Sequence, residues 1–228
     1  MYSLLLSSAL ALIGGFILGI RLARSRLRRL RAELVAARWL AEHDPLTGLL
    51  NRAGAQRHHA QQVAAGKAHV VVLIDLDDFK AVNDSWGHQA GDAQLAAVAD
   101  RLATACSKVD AIASRLAGDE FLLLLSSTDM EVVTRQVTAV LAGLREPTTL
   151  PVRDGGTVIV TPSASAGIAL PESGSTWTDL LRRADIALYR AKALRGRAEV
   201  YTRSMQPLPS PGARTAARLR DSEILHTI

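Results

Sequence analysis

Three acidic segments of the chain could bind a metal ion or a phosphate-bearing ligand. The first, residues 75–78, follows an apolar run at residues 70–74. The second is the short segment 118–120 between two apolar stretches, and the third, rich in Asn, Asp and Gly, spans residues 83–92. A carboxylate at the end of a buried strand must be paired, hydrated or bound to a metal. These segments are therefore the first candidates for chemistry.

The spacing predicts that two of the segments meet. Gly118 suits a hairpin tip, and if the strands before Asp75 and after Glu120 are neighbours, Asp75 and Asp119 converge at one end of a sheet. Oxygen ligands that leave room for water and phosphate suit Mg²⁺. Taken singly, each segment also has an ordinary interpretation, since hairpin tips are often acidic and loops rich in Asn, Asp and Gly are common turns.

The elements that must position these residues alternate between helix and strand. A helix breaks at Asp44-Pro45, and a globular unit follows from residue 44 to residue 203. Alternating periodicities predict an α/β fold, specifically an α+β sandwich. The predicted helices are 52–65, 90–105, 129–145 and 177–194, and the predicted strands are 69–76, 111–116, 121–126, a pair across 150–170, and 198–202.

Four motifs, in order, resemble the GGDEF family. They are Asp44 to Arg52 (DPLTGLLNR), the block from Asp75 to Asp92, Arg115 to Phe121 (RLAGDEF) and the helical segment Ala184 to Lys192. The likeness covers roughly residues 40–203. It implies a palm-like, mostly antiparallel sheet flanked by helices, as in nucleotidyl cyclases, and a diguanylate cyclase that condenses two GTP into cyclic di-GMP with release of pyrophosphate.

The resemblance also implies a role for each matching residue. Mg²⁺, with Mn²⁺ as an alternative, would clamp the triphosphate. A carboxylate of the signature would assist proton removal, and a guanine-reading carboxylate would reject ATP. The metal ligands would be Asp75, the Leu76 carbonyl, Asp119 and Glu120; the catalytic residues Asp119 and Glu120; the phosphate contacts Phe79, Lys80, Lys192 and Arg197; and the guanine contacts Asn83 and Asp92.

The sequence departs from the family pattern at three places. Ala117 replaces the first glycine of the signature, which costs little unless the backbone there is left-handed. The usual product-inhibition motif is degraded, with Lys108 and Ala111 at its two positions and Asp110 one residue early. One extra residue separates Lys192 from the glycine that follows it, so either Arg195 or Arg197 could be the phosphate-binding arginine.

These departures support a second hypothesis. A non-catalytic module could hold GTP or cyclic di-GMP and signal through a partner, while the retained Asp119-Glu120 pair favours catalysis. A third hypothesis, a purely structural membrane adaptor, leaves the acidic segments unexplained.

The N-terminal residues indicate a membrane anchor. Residues 4–20 are apolar and uncharged, and arginines follow from Arg21. A signal peptide is the alternative, but it would place basic residues before the apolar run. The arginines predict a single-pass protein of a bacterial inner (plasma) membrane, with residues 44–203 in the cytoplasm.

The charge distribution argues against one class of partner, and the cysteine content excludes an internal disulfide. Residues 1–43 contain seven arginines and two glutamates, which equals the whole formal net charge of +5. The basic character therefore belongs beside the membrane, and nucleic acid is excluded as a partner. Cys106 is the single cysteine, so no internal disulfide can form.

The basic segment 21–43 is predicted to be a signalling helix, and residues 20–41 carry a heptad pattern that predicts a dimer. The stripe is Ile20, Ala23, Leu27, Leu30, Leu34, Ala37 and Ala41. It suits a two-stranded coiled coil, although a lone amphipathic helix on anionic lipid is the alternative. The resemblance favours the dimer, because two GTP must face each other. Residues 204–228, with three prolines, are predicted to be a disordered tail.

Overall fold

The structure is a computed structural model that describes the backbone of residues 2–205 and the side chains of residue 15 and of residues 18–205. Helices and strands alternate along it as the sequence predicts. The elements are α1 (Tyr2–Glu42), α2 (Arg52–Ala64), β1 (Val70–Leu76), α3 (Phe79–Trp86), α4 (His88–Cys106), β2 (Ala111–Ala117), β3 (Glu120–Leu125), α5 (Met130–Leu144), β4 (Thr148–Pro151), β5 (Thr157–Val160), β6 (Ala164–Ala169), α6 (Trp177–Leu194) and β7 (Ala198–Val200).

A central sheet with strand order β2-β3-β1-β6-β7 organises the globular unit. Each neighbouring pair is antiparallel except β6 and β7, which run parallel. The predicted mostly antiparallel sheet is therefore confirmed. Strands β4 and β5 form a separate hairpin.

Strand β1 lies at the centre of the sheet because every one of its side chains is buried. Alternate residues face opposite sides of a strand. Val72, Ile74 and Leu76 pack in the larger cluster with residues of α4 and α5, whereas Val71 and Leu73 pack with residues of α2 and α6. Helices thus cover both faces of β1. The chain leaves the core at the C-terminal end of this strand, after Leu76.

Helix α6 packs directly on β6 because Gly167 has no side chain. A Cβ at Gly167 would collide with the carbonyl oxygen of Ala184 and with the backbone nitrogen of Leu188. The close approach places the end of α6 beside the end of β1, which matters for the site described below.

One element differs from the predictions. No helix is predicted for residues 79–86, and the segment 83–92 has an ordinary interpretation as turns, but residues 79–86 form helix α3, whose first residue Phe79 packs against the core. The apolar segment and the basic segment form one continuous helix, α1, which ends at Glu42, just before Asp44-Pro45 as predicted.

The two ends of the chain bear on other predictions. Among the residues whose side chains are described, no helix is long and apolar enough to cross a membrane. The anchor predicted for residues 4–20 falls mostly on side chains outside that description. Most of the predicted tail, residues 206–228, also lies outside it. Met205 is buried against Ile186 and Ala187, so the folded unit extends past the predicted boundary at residue 203.

Replacing Gly167 with alanine tests the packing of α6 on β6. The added methyl group must push α6 away from the sheet, and we expect a loss of about 1–3 kcal/mol in the free energy of unfolding. Urea denaturation measures it. The matched control is Gly143→Ala in α5, where a Cβ meets nothing within 4 Å. Its unfolding free energy should be unchanged or slightly raised. Equal stability of the two variants would contradict the packing described.

Candidate functional site

Two acidic residues lie opposite each other at the end of the central strand. Asp75 pairs with Glu120 of β3 in the antiparallel register, so both side chains lie on the same face of the sheet. Asp75 is buried, with 4% of its surface exposed, whereas Glu120 is half-buried. Carboxylates this close repel each other unless a cation lies between or beside them.

The signature turn stands at the same end of the sheet. Ala117 and Glu120 are paired across a hairpin, and Gly118 at its tip has φ 53°. The predicted hairpin and its turn glycine are therefore confirmed. The backbone nitrogen of Leu76 donates to the carbonyl oxygen of Asp119 at 3.3 Å, which ties the turn to the end of β1. Asp75 and Asp119 thus lie at the same end of the sheet, as the sequence predicts, with Glu120 opposite Asp75.

Ala117 is not strained by replacing a glycine. Within residues 2–205, the non-glycine residues with positive φ are Asp78 and Arg195. Ala117 belongs to strand β2 and is exposed. The backbone at Ala117 is therefore not left-handed. The replacement of glycine adds only a methyl group beside the turn and does not strain the backbone.

Lys192 brings a positive charge to these acidic groups. Its ammonium Nζ lies 2.5 Å from Asp75 Oδ1, 3.1 Å from Asp77 Oδ1 and 2.8 Å from the carbonyl oxygen of Leu76. Lys192 lies in the last two turns of α6. This helix can pack closely on the sheet because Gly167 has no side chain. The ammonium group compensates the buried charge of the two aspartates.

The oxygen atoms that contact Lys192 also show whether the site suits a metal ion. The Asp75 carboxylate and the Leu76 carbonyl, both assigned to Mg²⁺ by the resemblance, converge here on one cation, the Lys192 ammonium. Carboxylate and carbonyl oxygens are the ligands that Mg²⁺ prefers, so these residues fit the ion. Among the described residues, no group of three His, Cys, Asp or Glu side chains is arranged as a ready-made metal site. Substrate phosphates would have to complete the coordination.

Asp77 belongs to the site although the sequence analysis gave it no role. Its side chain is only 5% exposed and accepts hydrogen bonds from Ser163, Ser165 and the backbone nitrogen of Gly196. Burial acts to raise the pKa of Asp77, but the Lys192 charge and these hydrogen bonds outweigh it, and the pKa is lowered. Asp77 lies just after the end of β1 at Leu76, and no local pattern of the sequence marks it, because its hydrogen-bond donors are distant in the chain.

The predicted phosphate contacts lie around the start of α3. Phe79 and Lys80 form its first turn, directly after Asp78, whose φ is 56°. Backbone N–H groups at a helix start suit phosphate. Asp78 pairs with Arg195 at 2.5 Å between Oδ2 and Nη1. Arg195 is therefore the arginine engaged beside this turn, and the assignment of Arg197 to phosphate remains a prediction.

The predicted guanine contacts come together at the junction of α3 and α4. A Cβ at Gly91 would collide with Oδ1 of Asn83 and would lie 3.2 Å from the ring of Phe79. The Asn83 amide thus rests against the backbone of the residue preceding Asp92. Asp92 is exposed, and Asn83 is half-buried. Asn83 and Asp92 therefore both lie at this junction, and their contact with guanine remains a prediction.

A charged pair connects the end of α1 with the signature turn. Arg115 donates from Nη1 to Asp44 Oδ1 at 3.0 Å and from Nε to the carbonyl oxygen of Gly118 at 3.0 Å. Burial acts to raise the pKa of Asp44, but the hydrogen bonds from Thr47 and Arg115 outweigh it, so the pKa is lowered. The opening motif and the signature, far apart in sequence, are thus one structural unit.

Comparison with known proteins decides the family. A family model described as "Diguanylate cyclase, GGDEF domain" matches residues 41–198. The chain belongs to the GGDEF domain family. It is 43% identical over 178 residues to an uncharacterised signalling protein of Caulobacter vibrioides and 40% identical over 172 residues to the cyclic di-GMP phosphodiesterase PdeR of Escherichia coli. The alignments cover 75% and 74% of this chain but 21% and 25% of those relatives, so it spans only a part of their length.

Solved GGDEF structures share the fold. The coiled coil and GGDEF domain of DgcB from Caulobacter crescentus, in complex with c-di-GMP, is 29% identical, with a TM-score of 0.70. The match covers 80% of this chain and 98% of that one. An active GGEEF domain of a diguanylate cyclase from Vibrio cholerae is 26% identical, with a TM-score of 0.54, covering 67% and 94% of the two chains.

Gly91→Ala tests the guanine-reading role of Asn83. The methyl group must displace the Asn83 amide, and we expect about tenfold weaker binding of a non-cleavable GTP analogue, α,β-methylene GTP, because one or two hydrogen bonds are lost. Isothermal titration calorimetry measures the affinity, and thermal melting checks that the variant remains folded, since the added methyl group crowds a buried position and also costs some stability. Unchanged affinity for the analogue would remove Asn83 from the guanine site.

Proposed function

We propose that this GGDEF domain is a diguanylate cyclase that condenses two GTP into cyclic di-GMP and releases two pyrophosphates. One observation carries the proposal. The end of β1, the signature turn and the last turns of α6 bring Asp75, Glu120 and Lys192 together, beside a helix start and two guanine-type contacts. Acidic ligands next to a phosphate-binding turn and a base-reading edge suit a nucleotidyl transfer.

The reaction needs few groups from the protein. The 3′-hydroxyl oxygen of one GTP attacks the α-phosphorus of the other, pyrophosphate leaves, and the hydroxyl proton passes to a carboxylate or to water. Asp119 and Glu120 stand at the turn where such a proton could be accepted. Bound Mg²⁺ would neutralise phosphate charge and favour the alkoxide. The same step, repeated with the roles exchanged, closes the ring of the product.

The base would be selected by hydrogen bonds at the α3–α4 junction. The Asp92 carboxylate can accept from N1–H and the exocyclic amine of guanine together, and Asn83 can add a further contact. Adenine offers no such pair of donors, so ATP would leave the carboxylate unpaired.

Each domain holds one GTP, so we propose that two protomers face each other through α1. The heptad stripe is exposed in the single chain: Leu27 is 52%, Leu30 49% and Leu34 70% accessible. Leucines exposed along one helical face are stabilised when a second copy covers them. A dimer joined by α1 would keep two active sites at high local concentration.

A binding module is the second candidate, because Ala117 and the inserted residue after Lys192 both alter the family pattern. In that case the chain would hold GTP or cyclic di-GMP without converting it and would act on a partner. PdeR, named a phosphodiesterase, shows that a relative of this domain can belong to a protein with another named activity.

Membrane attachment remains a proposal that rests on the apolar residues 4–20 and the arginines that follow them. It would place the GGDEF domain on the cytoplasmic side of a bacterial inner membrane. Retention of the chain in the membrane pellet after an alkaline carbonate wash is the expected result, and release into the supernatant would contradict it.

Asp119→Ala separates the two candidate functions. We expect the wild type to form cyclic di-GMP from GTP and Mg²⁺ and the variant to be slower by at least about 100-fold, because a metal-binding and proton-accepting group is lost. Chromatography of the products measures the rate. Asp154→Ala, at an exposed position of the loop between β4 and β5, is the control and should retain full activity. A wild type that binds nucleotide and forms no product would identify the module.

Substituting the heptad stripe tests the dimer. The double variant Leu30→Gln, Leu34→Gln should lose product per chain at low protein concentration and recover it at high concentration, because the helix is preserved while the apolar contact is lost. Val35→Gln is the matched control, since Val35 is 70% exposed and lies outside the stripe. Activity of the double variant that is independent of concentration and equal to the wild type would exclude a role for α1 in pairing.

A further inference from the structure

The carboxylate of Asp77 is held by four hydrogen-bond donors. Both of its oxygen atoms accept two hydrogen bonds. The donors are Ser163 Oγ at 2.8 Å and Gly196 N at 3.0 Å on Oδ2, and Ser165 Oγ at 2.9 Å and Lys192 Nζ at 3.1 Å on Oδ1. A buried charge is tolerated when donors surround it in this way. Asp77 is therefore fixed in position and fixes its donors in return.

These donors come from separate parts of the chain. Ser163 and Ser165 flank the start of β6, whereas Lys192 and Gly196 belong to the end of α6 and the turn after it. The backbone nitrogen of Asp77 also donates to the carbonyl oxygen of Ser163 at 2.8 Å. One carboxylate thus joins the end of β1, the start of β6 and the end of α6.

The turn after α6 needs such a support. Arg195 has φ 47° and Gly196 has φ 61°, and a left-handed conformation costs a non-glycine residue on the order of 1 kcal/mol. Asp78, the neighbour of Asp77, pairs with Arg195, and Asp77 binds the nitrogen of Gly196. Two adjacent aspartates therefore hold two adjacent residues of the turn that follows α6.

We propose that Asp77 is a positioning residue that holds Lys192 and the turn at Gly196 where they bind the triphosphate of GTP. The identity of the nucleotide rests on the function proposed above. The guanine contacts lie elsewhere, at the junction of α3 and α4, so Asp77 acts on the phosphate end of the nucleotide alone. Asp77 itself does not contact the substrate.

Asp77→Asn is the sharpest variant because of what each oxygen atom accepts. Gly196 N–H and the Lys192 ammonium can only donate, and they stand on different oxygens of the carboxylate. Whichever way the amide is turned, its NH₂ group faces one of these donors. The variant therefore retains the volume of the side chain while one essential hydrogen bond becomes a repulsion.

The experiment compares the affinities of the full-length chain for α,β-methylene GTP and for GMP, both with Mg²⁺. Asp77→Asn should weaken binding of the triphosphate about tenfold or more and change GMP binding less than about twofold, since a displaced ammonium costs a charge-assisted hydrogen bond. Asp154→Asn, an exposed aspartate, is the matched control and should leave both affinities unchanged.

Equal losses for both nucleotides, or no loss for either, would overturn the proposal, because a purely structural role does not distinguish the phosphates. If Asp77→Asn does not fold, Ser165→Ala tests the proposal instead. This variant removes one hydrogen-bond donor to Asp77 and one acceptor for Gly196 N–H. We expect it to cause a smaller loss of affinity that is again selective for the triphosphate. A wild type that binds the analogue but forms no cyclic di-GMP would contradict the proposed cyclase reaction and leave this comparison valid.

Discussion

The pairing of the Lys192 ammonium with the acidic end of β1 is the interaction on which the site depends. Strand β1 is buried on both faces, and its last residues bring Asp75 and Asp77 to the edge of the core with little access to water. Charges in such a place require compensation. Lys192 supplies it from α6, which reaches the sheet because Gly167 has no side chain. The packing of α6 on the sheet therefore determines the position of the Lys192 ammonium group.

This charge balance also explains how the domain could receive nucleotide. The oxygen atoms that hold Lys192 are hard ligands that equally suit a divalent cation, and a triphosphate offers the ammonium group an alternative partner. Binding of Mg²⁺ and GTP would then exchange one set of compensated charges for another. The hydrogen bonds from Arg115 connect the signature turn to Asp44 and so to the end of α1. If α1 pairs in a dimer as proposed, these bonds would link the paired helices to the signature turn.

Much of this arrangement could be predicted from the sequence. The apolar run of β1, the turn at Gly118 and the motifs that carry Asp75 and Asp119 predicted the sheet, the hairpin and the position of both aspartates at one end of the sheet. Helix α3 was missed, because Asn83 and Asp84 are typical of turns, whereas the packing of the partly buried Phe79 against the core is a tertiary contact that local sequence does not reveal. The role of Asp77 was missed because its donors, Ser163, Ser165 and Gly196, are distant in sequence and individually ordinary. Arg195 combines a positive φ with an ion pair to Asp78, and no local pattern of the sequence reveals either feature.

The most direct test is the crystal structure of residues 1–228 with Mg²⁺ and α,β-methylene GTP. We expect the triphosphate between the first turn of α3 and Lys192, the metal ion on Asp75 and the Leu76 carbonyl, and the guanine against Asn83 and Asp92. A nucleotide bound away from the end of β1, or with its base rather than its phosphates beside Lys192, would contradict it.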